Sequence, residues 1–376
     1  MTLPLHPLAG SSFINWLKLL QANKRIDRQY LLKAILISIG SAAGIPNRFY
    51  EKAICDRKIN ELAIKSPIFI VGHWRSGTTY LHNLITQDSN LGYVSSLQAW
   101  CPELFLGSQP IIQFILKNFL PENRPMDNIK LSGELPQEEE YALGNVSLCC
   151  FYHGWYFPQQ MLDYFQQLLS FENSSEEIQQ EWQNAYLRVL KKATLKMDGK
   201  RLVIKNPANT ARIRTLLKMF PDAKFIHIYR NPYVVFLSTK HLYRQLLPIL
   251  SLQKISDREI EKNILLIYRK MMLKFFKDKS LIPQANLFEI NYEDFIANPS
   301  DTLATIYQKF NLTGFENNEK YFNRYIVTQK SYQSNQYQLT EEDKNKVLKH
   351  WNFALKEWNY KSLNNINFQK SCSDLV

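Results

Sequence analysis

Four short apolar segments of β-forming residues recur along this chain of 376 residues, and a helical pattern follows each one. They are residues 66–71 (SPIFIV), 201–205 (RLVIK), 224–229 (KFIHIY) and 286–290 (NLFEI). Buried strands that alternate with helices are typical of a parallel sheet covered on both faces. The pattern therefore predicts a three-layer α/β/α fold with a central parallel sheet and a ligand at the carboxyl ends of its strands.

Capping signals indicate where several helices begin. Residues 174–177 (SSEE) and 256–259 (SDRE) fit the capping box, and Asn298-Pro299 fits an N-cap followed by a first-turn proline. Apolar residues at helical spacing predict further helices over residues 78–87 and about 210–219.

The domain organisation follows from this alternation. We expect an N-terminal helical extension over residues 1–65 and one main domain over residues 66–376, with an insertion at about 98–164 that forms a lid or a substrate wall. The insertion is rich in aromatic residues that either line an apolar pocket or form its own core, and we favour the core for most of them. These residues are Trp100, Phe105, Phe114, Phe119, Phe151, Tyr152, Trp155, Tyr156 and Phe157.

The composition excludes several protein classes. Hydrophobic residues make up 45% and charged residues 21%, which excludes a disordered, collagen-like or coiled-coil chain. Lys and Arg number 46 against 34 Asp and Glu, a net charge of +12. This excess favours an anionic partner: a nucleotide, a sulfated or phosphorylated substrate, nucleic acid or an acidic membrane surface.

The cysteines and the N-terminus predict a cytoplasmic protein with free thiols. The chain has five Cys, an odd number, and residues 1–10 show no signal-peptide pattern. Cys149, Cys150 and His153 match no common zinc spacing, so we expect no metal.

Residues 34–47 (AILISIGSAAGIPN) form the longest apolar stretch near the N-terminus. A helix of this length extends ~21 Å, too short for a hydrocarbon core of ~30 Å. We favour a core helix, and a helix at the membrane interface, which would make the protein peripheral to the membrane, is the alternative. The basic residues around the stretch are Lys24, Arg25, Arg28, Lys33, Arg48 and Lys52.

The first predicted strand leads into the loop GHWRSGTT, residues 72–79, and then into a helix. A loop bounded by glycines between a strand and a helix N-terminus binds phosphate through backbone N–H groups and the helix dipole. The spacing from Gly72 to Gly77 equals that of the nucleotide-triphosphate P-loop, but Thr78 stands where that motif has Lys. The loop therefore suits a phosphate group but not an ordinary nucleoside triphosphatase.

The sequence RSGTT after a strand resembles the 5′-phosphosulfate loop of sulfotransferases that use 3′-phosphoadenosine-5′-phosphosulfate (PAPS). Residues 226–238 (IHIYRNPYVVFLS) are similar to the family's second motif, in which Arg230 and Ser238 correspond to the ligands of the 3′-phosphate. The resemblance covers about residues 67–360. Further family-like segments are PMDN (Pro125–Asn128), PQEEE (136–140), KNP (205–207), FPDAKF (220–225) and YEDF (292–295).

The resemblance implies the P-loop nucleotide-kinase-like sulfotransferase fold, PAPS as sulfuryl donor and 3′,5′-ADP (PAP) as product. Arg75 stands where the family has Lys or Arg, and a guanidinium there would stabilise charge rather than donate a proton. An Arg at this place resembles the tyrosylprotein and bacterial sulfolipid-type branches. The amides of Ser76 and Gly77, with Thr78 and Thr79, would hold the 5′-phosphate.

Lys205 and a group of acidic residues complete the candidate site. Lys205 is either an extra positive charge beside the donor or a strand-end lysine in solvent. The acceptor hydroxyl needs a general base, and Glu138 and Glu140 are the first candidates, with stabilisation of a helix start as their alternative role. Some branches of the family use a Glu about twenty residues after the loop, but residues 94–98 contain none. Reserve candidates are Glu103, His73 and His153.

The sequence therefore predicts a sulfotransferase that moves the sulfuryl group from PAPS to a hydroxyl of a lipid, a carbohydrate or another small molecule, with no nucleic-acid partner. One alternative is a P-loop kinase or NTPase-like phosphotransferase, which Thr78 opposes. A second is a basic membrane-associated binding protein without catalysis. A third, an inactive scaffold of the same family, is opposed by the presence of Arg75, Arg230 and Ser238. The acceptor and the oligomeric state are left open.

Overall fold

The computed structural model describes most of the chain. The described residues are 6–23, 25–107, 110, 112–114, 118, 123, 132–172, 174–329 and 337–360. The PMDN segment at Pro125–Asn128, Phe119 and Cys372 lie outside them.

The chain divides into two compact units. The first unit comprises Met1–Lys65, Gly92–Ile204 and Arg244–Asp257, and the second comprises Ser66–Leu91, Lys205–Tyr243 and Arg258–Val376. The domain boundaries expected from the sequence stay a prediction.

Five strands form one sheet in the order β2-β3-β1-β4-β5. They are β1 Ile68–Val71, β2 Leu91–Gly92, β3 Arg201–Lys205, β4 Lys224–Tyr229 and β5 Leu287–Asn291. All side chains of β1 and the four central ones of β4 are buried, as expected for strands covered on both faces. The predicted central parallel sheet is confirmed, and β2, only two residues long, is the strand that the sequence analysis missed.

The register of the sheet determines which loops share an edge. β1 pairs parallel with β4, with Val71 opposite His227, and β4 pairs parallel with β5, with Tyr229 opposite Asn291. The residues that follow these three strands therefore leave the sheet at the same edge. In an α/β sheet this carboxyl edge is where ligands bind.

Helices flank the sheet. In chain order they are α1 Phe13–Ala22, α2 Leu31–Ala43, α3 Ile45–Glu61, α4 Thr78–Ile85, α5 Ser96–Trp100, α6 Glu139–Val146, α7 His153–Tyr156, α8 Met161–Leu168, α9 Glu176–Lys196, α10 Ile213–Met219, α11 Pro232–Leu250, α12 Asp257–Asp278, α13 Tyr292–Ala297, α14 Pro299–Phe310, α15 Phe315–Gln329 and α16 Glu341–Glu357.

Two helix starts differ from the predictions, and one predicted cap lacks its side-chain hydrogen bond. α9 is capped by Ser175, one residue later than the capping box indicated, and its hydroxyl accepts from the Ile178 N–H at 3.4 Å. Asn298 is the N-cap residue of α14 and Pro299 lies in the first turn, as predicted, but the Asn298 side chain makes no cap hydrogen bond. The helix expected from about residue 210 begins at Ile213, since Pro207–Ala211 forms a separate 3₁₀ turn.

Most aromatic residues of the expected insertion form the core of the first unit. Phe151, Tyr152, Trp155 and Phe157 are buried, and the rings of Tyr152 and Trp155 stack with centroids 3.9 Å apart. Phe114, at 70% exposure, is the clear exception. The core interpretation therefore fits most of this set.

The N-terminal apolar segment lies in α2 and the start of α3. Among the described residues, no single helix meets the length and hydropathy needed to cross a membrane. Arg28–Ala43 and Ile45–Glu61 meet that test only as a pair bent by 43°, by length and composition alone. α2 buries Ala34, Ile37 and Ser41, so the favoured expectation of a core helix describes only one of its faces.

Candidate active site

The loop between β1 and α4 has an unusual backbone. Gly72, Arg75 and Gly77 have positive φ angles of 139°, 72° and 93°. A Cβ atom at Gly72 would lie 2.2 Å from the Ile228 carbonyl oxygen, and one at Gly77 would lie 2.3 Å from the Tyr292 ring. Both glycines are therefore required by conformation and by space. A positive φ is uncommon at a non-glycine residue such as Arg75.

A buried threonine holds the start of this loop. The Thr210 hydroxyl accepts from the Gly72 N–H at 2.8 Å and donates to the Gly72 carbonyl at 3.1 Å. At the other end, the first intrahelical bond of α4 runs from Leu81 N–H to the Gly77 carbonyl. The N–H groups in the first turn of a helix have no intrahelical acceptor and attract anions. The loop thus ends at a helix start of the kind that can bind an anion.

Two predicted donor-binding residues meet directly. The Arg75 Nε donates to the Ser238 hydroxyl at 2.9 Å, although the two residues lie 163 positions apart in the chain. The Tyr337 hydroxyl donates to the same Ser238 oxygen at 3.1 Å. Ser238 is buried and Arg75 is half-buried. The fold therefore joins the first motif to the second.

Arg230 lies against the same loop. Its Nη1 donates to the Arg75 carbonyl at 3.3 Å, and its guanidinium carbon lies 4.1 Å from the centre of the Tyr292 ring. Its Nε is buried and has no hydrogen-bond partner among the described residues. Buried donors without an acceptor are rare in folded proteins. An anionic ligand would provide the missing acceptor.

The remaining predicted donor-site residues also belong to the second unit. Ser76 and Thr78 are buried, whereas Gly77 and Thr79 are half-buried. Lys205 follows Ile204 at the end of β3 and is only 2% exposed, so the alternative of a strand-end lysine in solvent does not fit.

His73 contributes no positive charge at neutral pH. Burial lowers the pKa of its imidazole to about 4, and the Trp74 carbonyl, 2.8 Å from Nδ1, opposes this shift only in part. A neutral ring with so low a pKa is a weak base.

The acidic candidates lie in the first unit, at the start of α6. The Glu138 carboxylate accepts a hydrogen bond from the Tyr152 hydroxyl. The Glu140 carboxylate is buried and accepts from the Phe151 N–H at 2.9 Å. These contacts tie the helix start to the aromatic core of the first unit.

The reserve bases are held by structural contacts. Glu103 lies 3.6 Å from the Arg48 guanidinium. Both ring nitrogens of the buried His153 face backbone carbonyls, of Leu148 at 3.2 Å and Gly144 at 2.9 Å, and burial lowers its pKa. The Cys149 and Cys150 thiols face the carbonyls of Ile178 and Glu140.

Metal binding has no obvious location in the part of the chain that the structure describes. There, no group of three or more His, Cys, Asp and Glu side chains could hold a metal ion. The expectation of a metal-free enzyme stays a prediction.

Sequence reasoning gave no role to Thr210, Tyr292 or Tyr337. Tyr292 begins the YEDF segment and forms a wall against Gly77 and Arg230. Its motif was visible in the sequence, but its partners come from β1 and β4, far away along the chain. Thr210 contacts the two backbone groups of Gly72, Tyr337 contacts the Ser238 hydroxyl, and neither residue belongs to a motif.

Comparison with known proteins defines the class. The family model described as "Sulfotransferase family" matches residues 67–317. The chain therefore belongs to the sulfotransferase family. It is an enzyme, a transferase for sulfuryl groups.

Two curated relatives match almost the whole chain. The chain is 31% identical over 356 residues to "Omega-hydroxy-beta-dihydromenaquinone-9 sulfotransferase Stf3" of Mycobacterium bovis, which covers 93% of this chain and 90% of the relative. The protein of the same name from Mycobacterium tuberculosis matches with the same values.

Solved structures agree on the fold. The sulfotransferase STF1 of Mycobacterium tuberculosis H37Rv superimposes with a TM-score of 0.66 at 21% identity, covering 88% of this chain and 89% of that chain. The sulfotransferase STF9 of Mycobacterium avium has the same TM-score at 16% identity, covering 94% and 97%. The predicted sulfotransferase fold is confirmed.

Proposed function

We propose that this sulfotransferase uses PAPS as its donor and transfers the sulfuryl group to the hydroxyl of a lipid-like alcohol. The observation that carries the donor assignment is the meeting of Arg75, Arg230 and Ser238 at one loop. PAPS carries anionic groups on both sides of its ribose, and these residues offer cationic and hydroxyl groups to both.

The residues fit the donor in two respects. The buried Nε of Arg230, together with the Ser238 hydroxyl, suits the 3′-phosphate that distinguishes PAPS from ordinary nucleotides. The backbone at Gly72 and at Gly77 leaves no room for a Cβ atom, and the loop curves as a phosphate-binding loop does. Ser76, Gly77, Thr78 and Thr79 would hold the 5′-phosphate there, with Lys205 as a further positive charge.

Arg75 would act on the charge that develops during transfer. The acceptor oxygen forms a bond to sulfur while the bond from sulfur to the bridging oxygen of the donor breaks, and negative charge grows on the departing phosphate. A guanidinium stays charged at neutral pH, so it stabilises this charge without donating a proton. The Ser238 hydroxyl fixes the orientation of Arg75.

Glu138 is the proposed general base, which takes the proton of the acceptor hydroxyl. Its carboxylate accepts a hydrogen bond from the Tyr152 hydroxyl, and Glu138 is the N-cap residue of α6, directly before the first turn of the helix. Glu140 is bound to the Phe151 N–H and completely buried, which supports a positioning role for it. Glu138 is the first candidate for the base, and Glu140 is the second.

The acceptor class rests on the curated relatives. By their name, these relatives are sulfotransferases for an omega-hydroxylated dihydromenaquinone, a lipid-like quinone. Similarity over 93% of this chain supports an acceptor of the same kind, a long apolar molecule that ends in a hydroxyl. Thr78 in place of the P-loop Lys argues against a nucleoside-triphosphate donor.

A transfer assay tests the proposal. The purified protein is incubated with PAPS and an omega-hydroxylated isoprenoid quinone, and the product is identified by mass spectrometry. We expect a sulfated quinone with PAPS and almost none with adenosine-5′-phosphosulfate, which lacks the 3′-phosphate. The quinone without its terminal hydroxyl is the matched acceptor control. Equal transfer from both donors would contradict the role of Arg230 and Ser238.

A further inference from the structure

The helices at the start of the first unit leave large apolar side chains in solvent. Exposure reaches 60% at Ile39 and 71% at Phe49. Single exposed apolar residues are common on protein surfaces, but a series of exposed apolar residues along consecutive helices indicates an interaction surface. We call this series the apolar face. Its members are Ile14, Leu17, Leu31, Leu32, Ile35, Leu36, Ile39, Ile45, Phe49, Tyr50 and Ile54.

The apolar residues of α2 form one stripe. At 100° per residue, positions 31, 32, 35, 36 and 39 span about 140° of the helix circumference. The buried residues Ala34, Ile37 and Ser41 lie on the opposite side. α2 is thus apolar on both sides, and only one side has a core to pack against.

Polar contacts hold α3 in place. The buried Glu51 forms an ion pair with Lys192, and its Oε2 accepts from the N–H groups of Leu106 at 2.7 Å and Gly107 at 3.0 Å. Arg188 pairs with Asp56 at 2.6 Å. These contacts fix the rotation of α3, so the exposure of Phe49 and Ile54 results from specific packing.

Positive charge surrounds the apolar face. Residues 1–65 contain ten Lys and Arg against four Asp and Glu, a net +6 of the total +12. The exposed Glu61 pairs with Arg57 at 3.1 Å, and Glu51 is buried in its own ion pair. Exposed cations of the described part of this segment include Lys18, Arg25, Arg28, Lys52 and Lys58.

We propose that the apolar face docks onto an anionic lipid bilayer and makes the enzyme a peripheral membrane protein. An apolar stripe bordered by Lys and Arg is the composition of helices that lie in a membrane interface, where acidic headgroups attract the cations. A second copy of the chain would bring an equal positive charge against this one, which disfavours a symmetric dimer through the same face. The proposal goes beyond the proposed function and needs neither PAPS nor the acceptor.

Vesicle flotation tests the proposal with the full chain and no substrate. One set of vesicles contains equal parts of phosphatidylglycerol and phosphatidylcholine, and the other contains phosphatidylcholine alone. We expect binding to the anionic vesicles only, and release by high salt. The triple variant Ile35→Ser, Ile39→Ser, Phe49→Ser should bind at least about tenfold more weakly, because each change removes apolar surface from the interface.

Matched controls distinguish binding through the apolar face from nonspecific binding to lipid. Leu273→Ser with Val327→Ser removes exposed apolar side chains, 44% and 62% exposed, from the second unit and should leave vesicle binding unchanged. Lys52→Glu with Lys58→Glu should weaken binding, whereas Lys309→Glu in the second unit should weaken it less. Circular dichroism checks that each variant is folded.

Three outcomes would overturn the proposal. The first is equal flotation of wild type and the triple variant. The second is concentration-dependent dimerisation in sedimentation, abolished by the triple variant and without vesicle binding, which would assign the face to a second copy. The third is resistance to alkaline carbonate extraction, which would indicate a bilayer-inserted segment. Because no donor or acceptor is present, none of these results bears on sulfuryl transfer.

Discussion

The donor loop in the second unit and the acidic start of α6 in the first unit both carry candidate catalytic residues, but their polar groups are used differently. At the loop, side chains distant in sequence meet one another, and the buried Nε of Arg230 has no acceptor among the described residues. At α6, the carboxylates of Glu138 and Glu140 each accept a hydrogen bond from the aromatic core of the same unit.

This contrast indicates that the loop after β1, rather than the start of α6, is suited to binding an external anion. A phosphate-binding loop keeps donors available for its ligand, whereas a helix start satisfies its carboxylates within the fold. The donor half of the site is therefore proposed from its geometry, and the variants below test the proposed base.

The largest effect is expected at Arg75. Arg75→Ala should lower kcat on the order of 10²–10³-fold, because it removes the positive charge from the departing phosphate. Arg324→Ala, at an exposed arginine of α15, is the matched control and should leave kcat unchanged. Steady-state kinetics measures kcat for both variants. A kcat equal to wild type in Arg75→Ala would remove the assigned role.

The α6 carboxylates come next. Glu138→Gln should lower kcat on the order of 10²-fold with KM for the donor unchanged, since an amide cannot take the acceptor proton. Glu140→Gln should change kcat only a few-fold, because its amide oxygen still accepts from the Phe151 N–H. Steady-state kinetics on both variants should show the larger loss of kcat in Glu138→Gln. The reverse pattern would move the base to Glu140.

Two glycine-to-alanine variants distinguish the effect of a steric clash from the effect of backbone strain. Gly77→Ala should destabilise the fold by about 1–3 kcal/mol and weaken PAP binding on the order of tenfold, because the new Cβ meets the Tyr292 ring. Gly199 also has a positive φ, 73°, but nothing lies within 4 Å of its Cβ position. Gly199→Ala should therefore show only the stability loss due to strain. Urea unfolding measures the loss of stability, and calorimetric titration measures the affinity for PAP. A normal PAP affinity in Gly77→Ala would contradict the expected effect of the Tyr292 contact.

The hydroxyl contacts of Ser238 should give a smaller effect. Ser238→Ala removes the acceptor of the Arg75 Nε and should weaken PAP binding several-fold, by about 1 kcal/mol. Tyr337→Phe removes only the second contact to that oxygen and should weaken it less. Calorimetric titration with PAP compares the dissociation constants of the two variants. A larger loss in Tyr337→Phe would show that Tyr337 contacts the nucleotide directly.

Acid should destabilise both units through buried histidines. Burial lowers the pKa values of His73 in the second unit and His6 in the first to about 4. Because the unfolded chain binds protons below about pH 6.5 and the folded chain does not, stability falls as the pH drops from about 6.5 to about 4. His6→Gln and His73→Gln should each flatten this slope in urea unfolding, and only His73→Gln should also change donor affinity. A slope equal to wild type in both variants would refute this explanation.

The sequence predicted the sheet and the donor loop because their signals are local. Strands such as KFIHIY and the spacing from Gly72 to Gly77 are contiguous in the chain. β2 was missed because two residues carry no periodicity, and the 3₁₀ turn at Pro207–Ala211 follows from the proline after β3. Contacts such as Thr210 to Gly72 depend on the sheet register, which no local pattern contains.

The most direct test of the central claim is a thermal-shift comparison of PAP, ADP and ATP with Mg²⁺ on wild type and Arg230→Ala. A ligand at ~100 times its dissociation constant adds ~2.7 kcal/mol, which corresponds to a shift of a few degrees. The account predicts that PAP stabilises the wild type more than ADP does, that ATP with Mg²⁺ does not, and that the PAP shift is lost in Arg230→Ala. Stabilisation by ATP with Mg²⁺ and not by PAP would contradict it.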